Sequence, residues 1–272
     1  MSHMAKSGSN TLFWLFIVIG IATIGWMFRD LYLPQPATVE PPQAPIEAPP
    51  PVEDSGPRHP IEASSIESIE PRDTKPLPPL DDSDAYFLLE TGSIFGADIE
   101  ALLIQNGIID RFVATVDNLS RKHVSHKIRP VQNLETAFVV ADANGEDAFF
   151  LDANNFHRYD VLVAHIAAAD LADVSDMYRR YYPLFQQSYE RLGYPNAYFN
   201  DRLIEVIDLM LSTPEPDEPV LLVRPNVLYE FADPELESLS SGQKLLLRLG
   251  PEHAATVKQV LQQLRSRLVA PE

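Results

Sequence analysis

The stretch Asp173–Pro195, DVSDMYRRYYPLFQQSYERLGYP, sets the fold class. Tyr178, Tyr181, Tyr182, Phe185, Tyr189 and Leu192 recur at three- and four-residue intervals, the period of one helical face. Asp173 or Ser175 can cap the start of this helix, and Gly193 supplies its stop. A helix this long, with one apolar-aromatic face, must bury that face against other helices. The segments around it supply them.

Upstream, Tyr159, Leu162, Val163, Ile166 and Ala169 form another apolar stripe. Ile108, Ile109, Phe112, Val113, Val116 and Leu119 form a third, with Arg121 and Lys122 complementing the dipole at its C-terminal end. Ser83 or Asp84 opens a short helix through Glu90, and Ala97–Gln105 is a further candidate, broken at Asn106-Gly107. Downstream, Pro195-Asn196 opens a helix carrying Phe199, Leu203, Ile207 and Met210, ended by Pro214, Pro216 and Pro219. Two last helices are predicted at about Pro234–Leu249 and Pro251–Leu268, divided by Gly250-Pro251. Two short apolar pairs read as hairpins: Ala137–Val140 with Ala148–Leu151, and Val220–Val223 with Val227–Phe231. The Asp142–Asp147 loop is not a calcium loop, because its glycine and acidic residues fall at the wrong positions. The expected domain, 81–272, is therefore mainly α (α+β): a compact multi-helix body with two small β-hairpins.

The first 80 residues differ. After a short tail, 1–10, Thr11–Phe28 (TLFWLFIVIGIATIGWMF) is free of charge, and Trp14 and Trp26 stand near its ends. At 1.5 Å rise per residue it spans roughly 27 Å, close to a hydrocarbon core of about 30 Å. The run ends in Trp26, Met27, Phe28 and Arg29, with no small-residue cleavage site, so the expectation is an uncleaved transmembrane helix. Residues 29–80 form an acidic, proline-rich linker, and 33–80 holds fourteen of the twenty-four prolines. Its composition cannot bury enough apolar surface to offset ordering entropy, so a disordered spacer is expected.

The 272 residues carry a formal net charge of −18 and no cysteine. Such a surface repels phosphate backbones, which argues against nucleic acid as a partner. Disulfides and thiolate metal sites are excluded. No P-loop, GxGxxG, GxSxG or HExxH pattern is present, so neither a nucleotide nor another cofactor is expected. His123 and His126 could share a helical face but lack further ligands, and His157 and His165 fall on adjacent faces of one helix with Asp160 near the first; no metal is expected. The aromatic helix is the richest candidate surface, because aromatics with polar tips suit sugars and protein interfaces. The binding candidates are Tyr178, Arg179, Tyr182, Tyr189, Tyr194 and Arg202. Against them stands the reading of a core stripe, with Arg158, Asp160 and Arg202 making structural ion pairs.

Four local patterns add up to a resemblance: Asn154–Asp160; Leu192-Gly193-Tyr194-Pro195 with Phe199, Arg202 and Leu203; Pro225–Tyr229 leading to Asp233–Glu237; and Gln243-Lys244 through Arg248–Pro251. Together they resemble an uncharacterised proteobacterial membrane-anchored family known only as a domain of unknown function. The resemblance spans about 85–270, with Leu249 where Met is expected. It implies an anchor, a proline-rich stretch and this domain in a bacterial envelope setting, and it brings no activity or catalytic residues. The resulting expectation is an inner-membrane, single-pass protein with its C-terminal domain in the periplasm. That domain would bind a protein or cell-wall partner without catalysis. The alternative is a peptidoglycan-active enzyme with an unrecognised carboxylate pair. A reporter fused after Glu272 should be active only on the outer side of the membrane; activity only in the cytoplasm would refute this orientation.

Overall fold

A computed structural model describes residues 56–61, 76–133, 137–145, 148–216 and 219–269. The tail, the expected membrane helix Thr11–Phe28 and most of the linker lie outside these residues. No helix among the described residues is long and apolar enough to cross a membrane. The domain is mostly helical with a small four-stranded antiparallel sheet. Its helices are α1 (Asp84–Phe95), α2 (Ile99–Leu102), α3 (Ile108–Leu119), α4 (Asp160–Ala168), α5 (Leu171–Arg191), α6 (Phe199–Leu211), α7 (Pro234–Ser238), α8 (Ser241–Leu249) and α9 (Pro251–Leu268).

The apolar stripes predicted on α3, α5 and α6 meet in one core, whereas of the stripe Tyr159–Ala169 only Tyr159 packs on it. Val113 of α3, Tyr181 and Phe185 of α5, Phe199, Ile204 and Ile207 of α6, and Leu246 of α8 are all almost fully buried within it. Its rings meet in edge-to-face, tilted and stacked pairs; Phe87 meets Tyr181 edge to face at 5.1 Å and 80°, an arrangement their quadrupoles favour. Leu80 is buried in this core and Leu77 packs on it, so the packed domain takes in residues just before Asp81.

Several helix ends differ from expectation, some because a partner in another element satisfies them and some because a local cap does. Asp84 does not cap its own helix. Its carboxylate accepts from the N–H groups of Gly107 and Ile108, at 2.8 and 3.0 Å, and so caps α3. α5 starts at Leu171, earlier than predicted, because Asp170 accepts from the Ala172 N–H. α6 starts at Phe199, later than predicted; its first N–H donates to Oε1 of Gln186 on α5 at 2.8 Å. The expected helix Pro234–Leu249 is two helices, parted by a capping box in which Ser240 and Gln243 satisfy each other's backbone.

The two expected hairpins are a single sheet, in the order β1 (Val140–Gly145), β2 (Ala148–Leu151), β3 (Leu221–Val223), β4 (Glu230–Phe231). β1 runs through Ala141–Gly145, which was expected to be loop, and pairs Val140 with Leu151. β2 then pairs with β3, placing Phe149 opposite Leu222, and joins the two hairpins. The inner face forms a second, smaller core of Leu151, Leu222 and Phe231 with Leu247 of α8. Adjacent α8 residues thus serve both cores, Leu246 the helical one and Leu247 the sheet. Lys244 of α8 reinforces the join: its ammonium holds Glu237 at 2.7 Å, and Glu237 accepts from the Phe231 N–H of β4.

Gly250, between α8 and α9, has φ +84, and a Cβ there would lie 2.5 Å from the Phe156 ring. Gly107 also has positive φ, but open space surrounds it. Gly250→Ala should cost about 3–4 kcal/mol, from backbone strain plus overlap. Gly107→Ala should cost only about 1–2 kcal/mol, from strain alone. Urea unfolding midpoints of the two variants check the order.

Candidate functional site

Tyr178, Tyr181 and Tyr189 are buried, and Tyr182 is half-buried. The Tyr178 hydroxyl donates to Oδ1 of Asn200 at 3.0 Å, and its ring stacks on Phe185 at 5.3 Å. Tyr189 stacks on Tyr194 at 4.7 Å. Burial pushes the Tyr182 and Tyr189 hydroxyls up to about 12 and the Tyr178 hydroxyl well above its ordinary value. The Tyr178 and Tyr189 rings are core, and the Tyr178 and Tyr182 hydroxyls are spent on internal partners.

The six candidates do not form one cluster. Arg179 pairs with Asp176 at 3.0 Å and donates to the Arg267 carbonyl at 2.7 Å, tying α5 to the end of α9. Tyr182 donates to Gln186 at 3.3 Å. Tyr189, Tyr194 and Arg202 do converge, around a residue the sequence reading passed over: Asp117, on α3, 4 % exposed. Its carboxylate accepts from Arg202 Nε at 3.0 Å, from an Arg121 guanidinium nitrogen at 2.9 Å and from the Tyr194 hydroxyl at 3.4 Å. Its carbonyl accepts from Arg202 at 2.7 Å. Arg202 also reaches Ser120 Oγ and Glu205. The charge of Asp117 beside Arg121 raises that guanidinium above its ordinary value. Burial pulls the Glu205 carboxyl upward, but Arg58 and Arg202 outweigh it and hold the group below its usual range.

A signal for Asp117 was present in the sequence. It follows Val116 and lies four residues after Val113, so a carboxylate stands on the apolar face of α3. A buried carboxylate of this kind needs cationic partners. Both oxygens of Asp117 are already taken by guanidinium groups, so it acts as a clamp between α3 and α6 and is poorly placed for proton transfer.

His157, His165 and His253 likewise make contacts within the fold. His123 and His126 follow the end of α3 and do not share a helix. His157 precedes α4 in a 3-10 turn and contacts Asp160 at 3.1 Å. His253 of α9 contacts the other oxygen of Asp160 at 2.8 Å. His165 Nδ1 lies 2.6 Å from the Phe95 carbonyl at the end of α1. Among the described residues, no group of three or more His, Asp or Glu could hold a metal ion.

An apolar cavity of ≈ 90 Å³ lies between the sheet and α8–α9, with Phe156, Val220, Leu246 and Leu247 in its lining. Lys258 stands at its rim, engaged by the Thr213 carbonyl and the Glu215 carboxylate, both at 2.8 Å. This is well below the roughly 300–1,000 Å³ of ordinary small-molecule sites.

The model of a family described as a protein of unknown function (DUF3014) matches residues 108–265. The chain belongs to this family. The match runs from the start of α3 into α9, narrower than the 85–270 expected, and it takes in the Asp117–Arg202 clamp and the whole sheet. No curated protein and no solved structure matches the chain. The family is thus fixed, while its proteobacterial origin rests on the resemblance alone.

Removing the carboxylate should expose the clamp's structural role. Asp117→Asn removes the buried counter-charge of Arg202 and leaves only the more exposed Glu205 beside it, and a loss of about 3 kcal/mol is expected. Arg191→Gln, which breaks the exposed Arg191–Asp81 pair, should leave the urea midpoint nearly unchanged.

Proposed function

We propose that this chain is a membrane-anchored envelope protein whose tethered acidic domain binds another envelope protein without catalysing a reaction. The contact is the turn between β3 and β4. One observation carries this reading: Val227 and Leu228, adjacent at that turn, are 84 % and 75 % exposed. Burying a side chain of this size yields about 1.5–3 kcal/mol, a gain that folding leaves unused here. Arg224 lies over the Tyr229 ring at 5.7 Å, which gives the turn a cationic and aromatic base. The neighbouring outer face of the sheet is apolar too. Phe150 pairs with Leu221 on the side away from the inner core, and Leu221 is 39 % exposed.

The candidates on α5 support this role only indirectly. Their rings and guanidinium groups hold the scaffold that presents the turn. The paired state of Asp117 favours binding over turnover. The surrounding acidity disfavours anionic partners, so the partner surface is apolar with a neutral or basic rim.

A photo-crosslinking residue at Leu228 should give one discrete adduct in cells, and Val227→Asp beside it should abolish that adduct without shifting the melting temperature. The same probe at Ser266, on α9, should give none. Hydrolysis of purified muropeptides by the protein, abolished by one carboxylate-to-amide change, would overturn this reading in favour of the enzyme.

A further inference from the structure

The linker sequence contains Gly56-Pro57-Arg58-His59-Pro60-Ile61. Proline has no N–H, so between Pro57 and Pro60 only Arg58 and His59 can donate from the backbone. Both donors are taken by one carboxylate. Arg58 N–H donates to Asp201 Oδ2 at 2.9 Å and His59 N–H to Asp201 Oδ1 at 2.7 Å. The next polar group is matched as well: the His59 carbonyl accepts from Nδ2 of Asn200 at 2.8 Å. Outside these main-chain contacts, the Arg58 guanidinium pairs with Glu205 and lies 3.9 Å from Asp201. Ile61 packs on the helical core. Asn200 and Asp201, at the start of α6, are both buried. The segment is therefore met by backbone contacts, a charge contact and an apolar contact in sequence.

We propose that Asn200, Asp201 and Glu205 form a docking site for an extended, arginine-bearing segment flanked by prolines. Its occupant is this chain's own Pro57–Ile61, seated as a strap. The strap falls within the linker sequence, five residues seated on α6. Releasing the strap lets the tether extend up to Leu77, which packs on the core, adding about 65 Å of contour for an extended proline-rich conformation. Docking stands on the contacts alone; its consequence for reach rests on the membrane-anchor reading, which the fusion reporter after Glu272 tests separately.

The charge contact is exposed and screened by salt. The Asp201 and Asn200 contacts are shielded, so they set the seating and Arg58 selects the sequence. A loop of moderate length costs little more to close than a short one, so a handful of contacts can hold it.

The chain has no cysteine, so two can be introduced cleanly. A Cβ at Gly56 meets nothing within 4 Å, and Ser266 is exposed on α9. Spin labels on Gly56→Cys and Ser266→Cys, in the full chain in detergent, should give one narrow distance by pulsed dipolar resonance. Adding Arg58→Ala with Asp201→Asn should broaden the distribution severalfold. Arg58→Ala alone, which alters only the strap, should broaden it partly and leave the melting curve unchanged. A broad distribution in the parent, or a narrow one that survives both substitutions, overturns the proposal. Loss of the narrow distance on tenfold dilution with unlabelled chain also overturns it, because the strap would then be seated on a second copy.

Discussion

The carboxamide of Asn200 is the joint on which this domain closes. It is fully buried. Its oxygen accepts from the Tyr178 hydroxyl of α5, and its nitrogen donates to the Leu268 carbonyl at the end of α9 and to the His59 carbonyl of the linker. One side chain at the start of α6 thus fixes three other parts of the chain. A buried amide is costly unless its donors and acceptors are met, so each of these elements is held in the position that meets them. An apolar residue of equal volume could fill the space but could not specify which backbone carbonyls approach.

The same logic runs through the other helix ends. Asp84 caps α3, Gln186 caps α6, and Ser241 of α8 donates its N–H to the Arg121 carbonyl and its hydroxyl to the carbonyls of Asn118 and Leu119. Packed helix ends cannot rely on water for their orphan groups, so the polar residues that satisfy them come from elsewhere in the chain. This explains how far the sequence was legible. α3 and α9 could be read because their periodicity and flanking glycines are local. The starts of α5 and α6 were misplaced because the residues that decide them compete, or sit on another helix. The β2–β3 pairing joins segments some seventy residues apart, and nothing local distinguishes one sheet from two hairpins.

The candidate surface was legible in a similar, partial way. The aromatic period on α5 was correctly placed, but a period says only that one face is special, not whether protein or solvent covers it. Against an amphipathic α6 carrying Phe199, Leu203 and Ile207, the core reading prevails. Arg202 shows why its partner was harder to see. A cation on α6 needs a carboxylate at the right depth, and Asp117 lies 85 residues earlier in the chain. Ser240-x-x-Gln243 was visible as a capping box and would have split the helix predicted at Pro234–Leu249. The turn at Val227-Leu228 was expected to be strand, since two aliphatic residues beside a tyrosine have strand propensity; only the shortness of β4 leaves them in solvent.

Charge and apolarity then divide the work of recognition. Many arginines of the domain are committed inward or to neighbouring helices: Arg202 and Arg121 to Asp117, Arg179 to Asp176, Arg180 to Glu90 and Arg265 to Asp208. Such pairs fix geometry more than they stabilise, and they leave the surplus of acids to set the field at the surface. That field acts over about a Debye length and sorts approaching molecules by sign, whereas a side chain such as Leu228 acts only on contact. An acidic body that presents an apolar turn can therefore remain soluble and self-repelling, yet bind a partner able to cover that turn. Two identical domains of this charge would repel each other before their apolar turns could meet, so the field works against pairing of like copies.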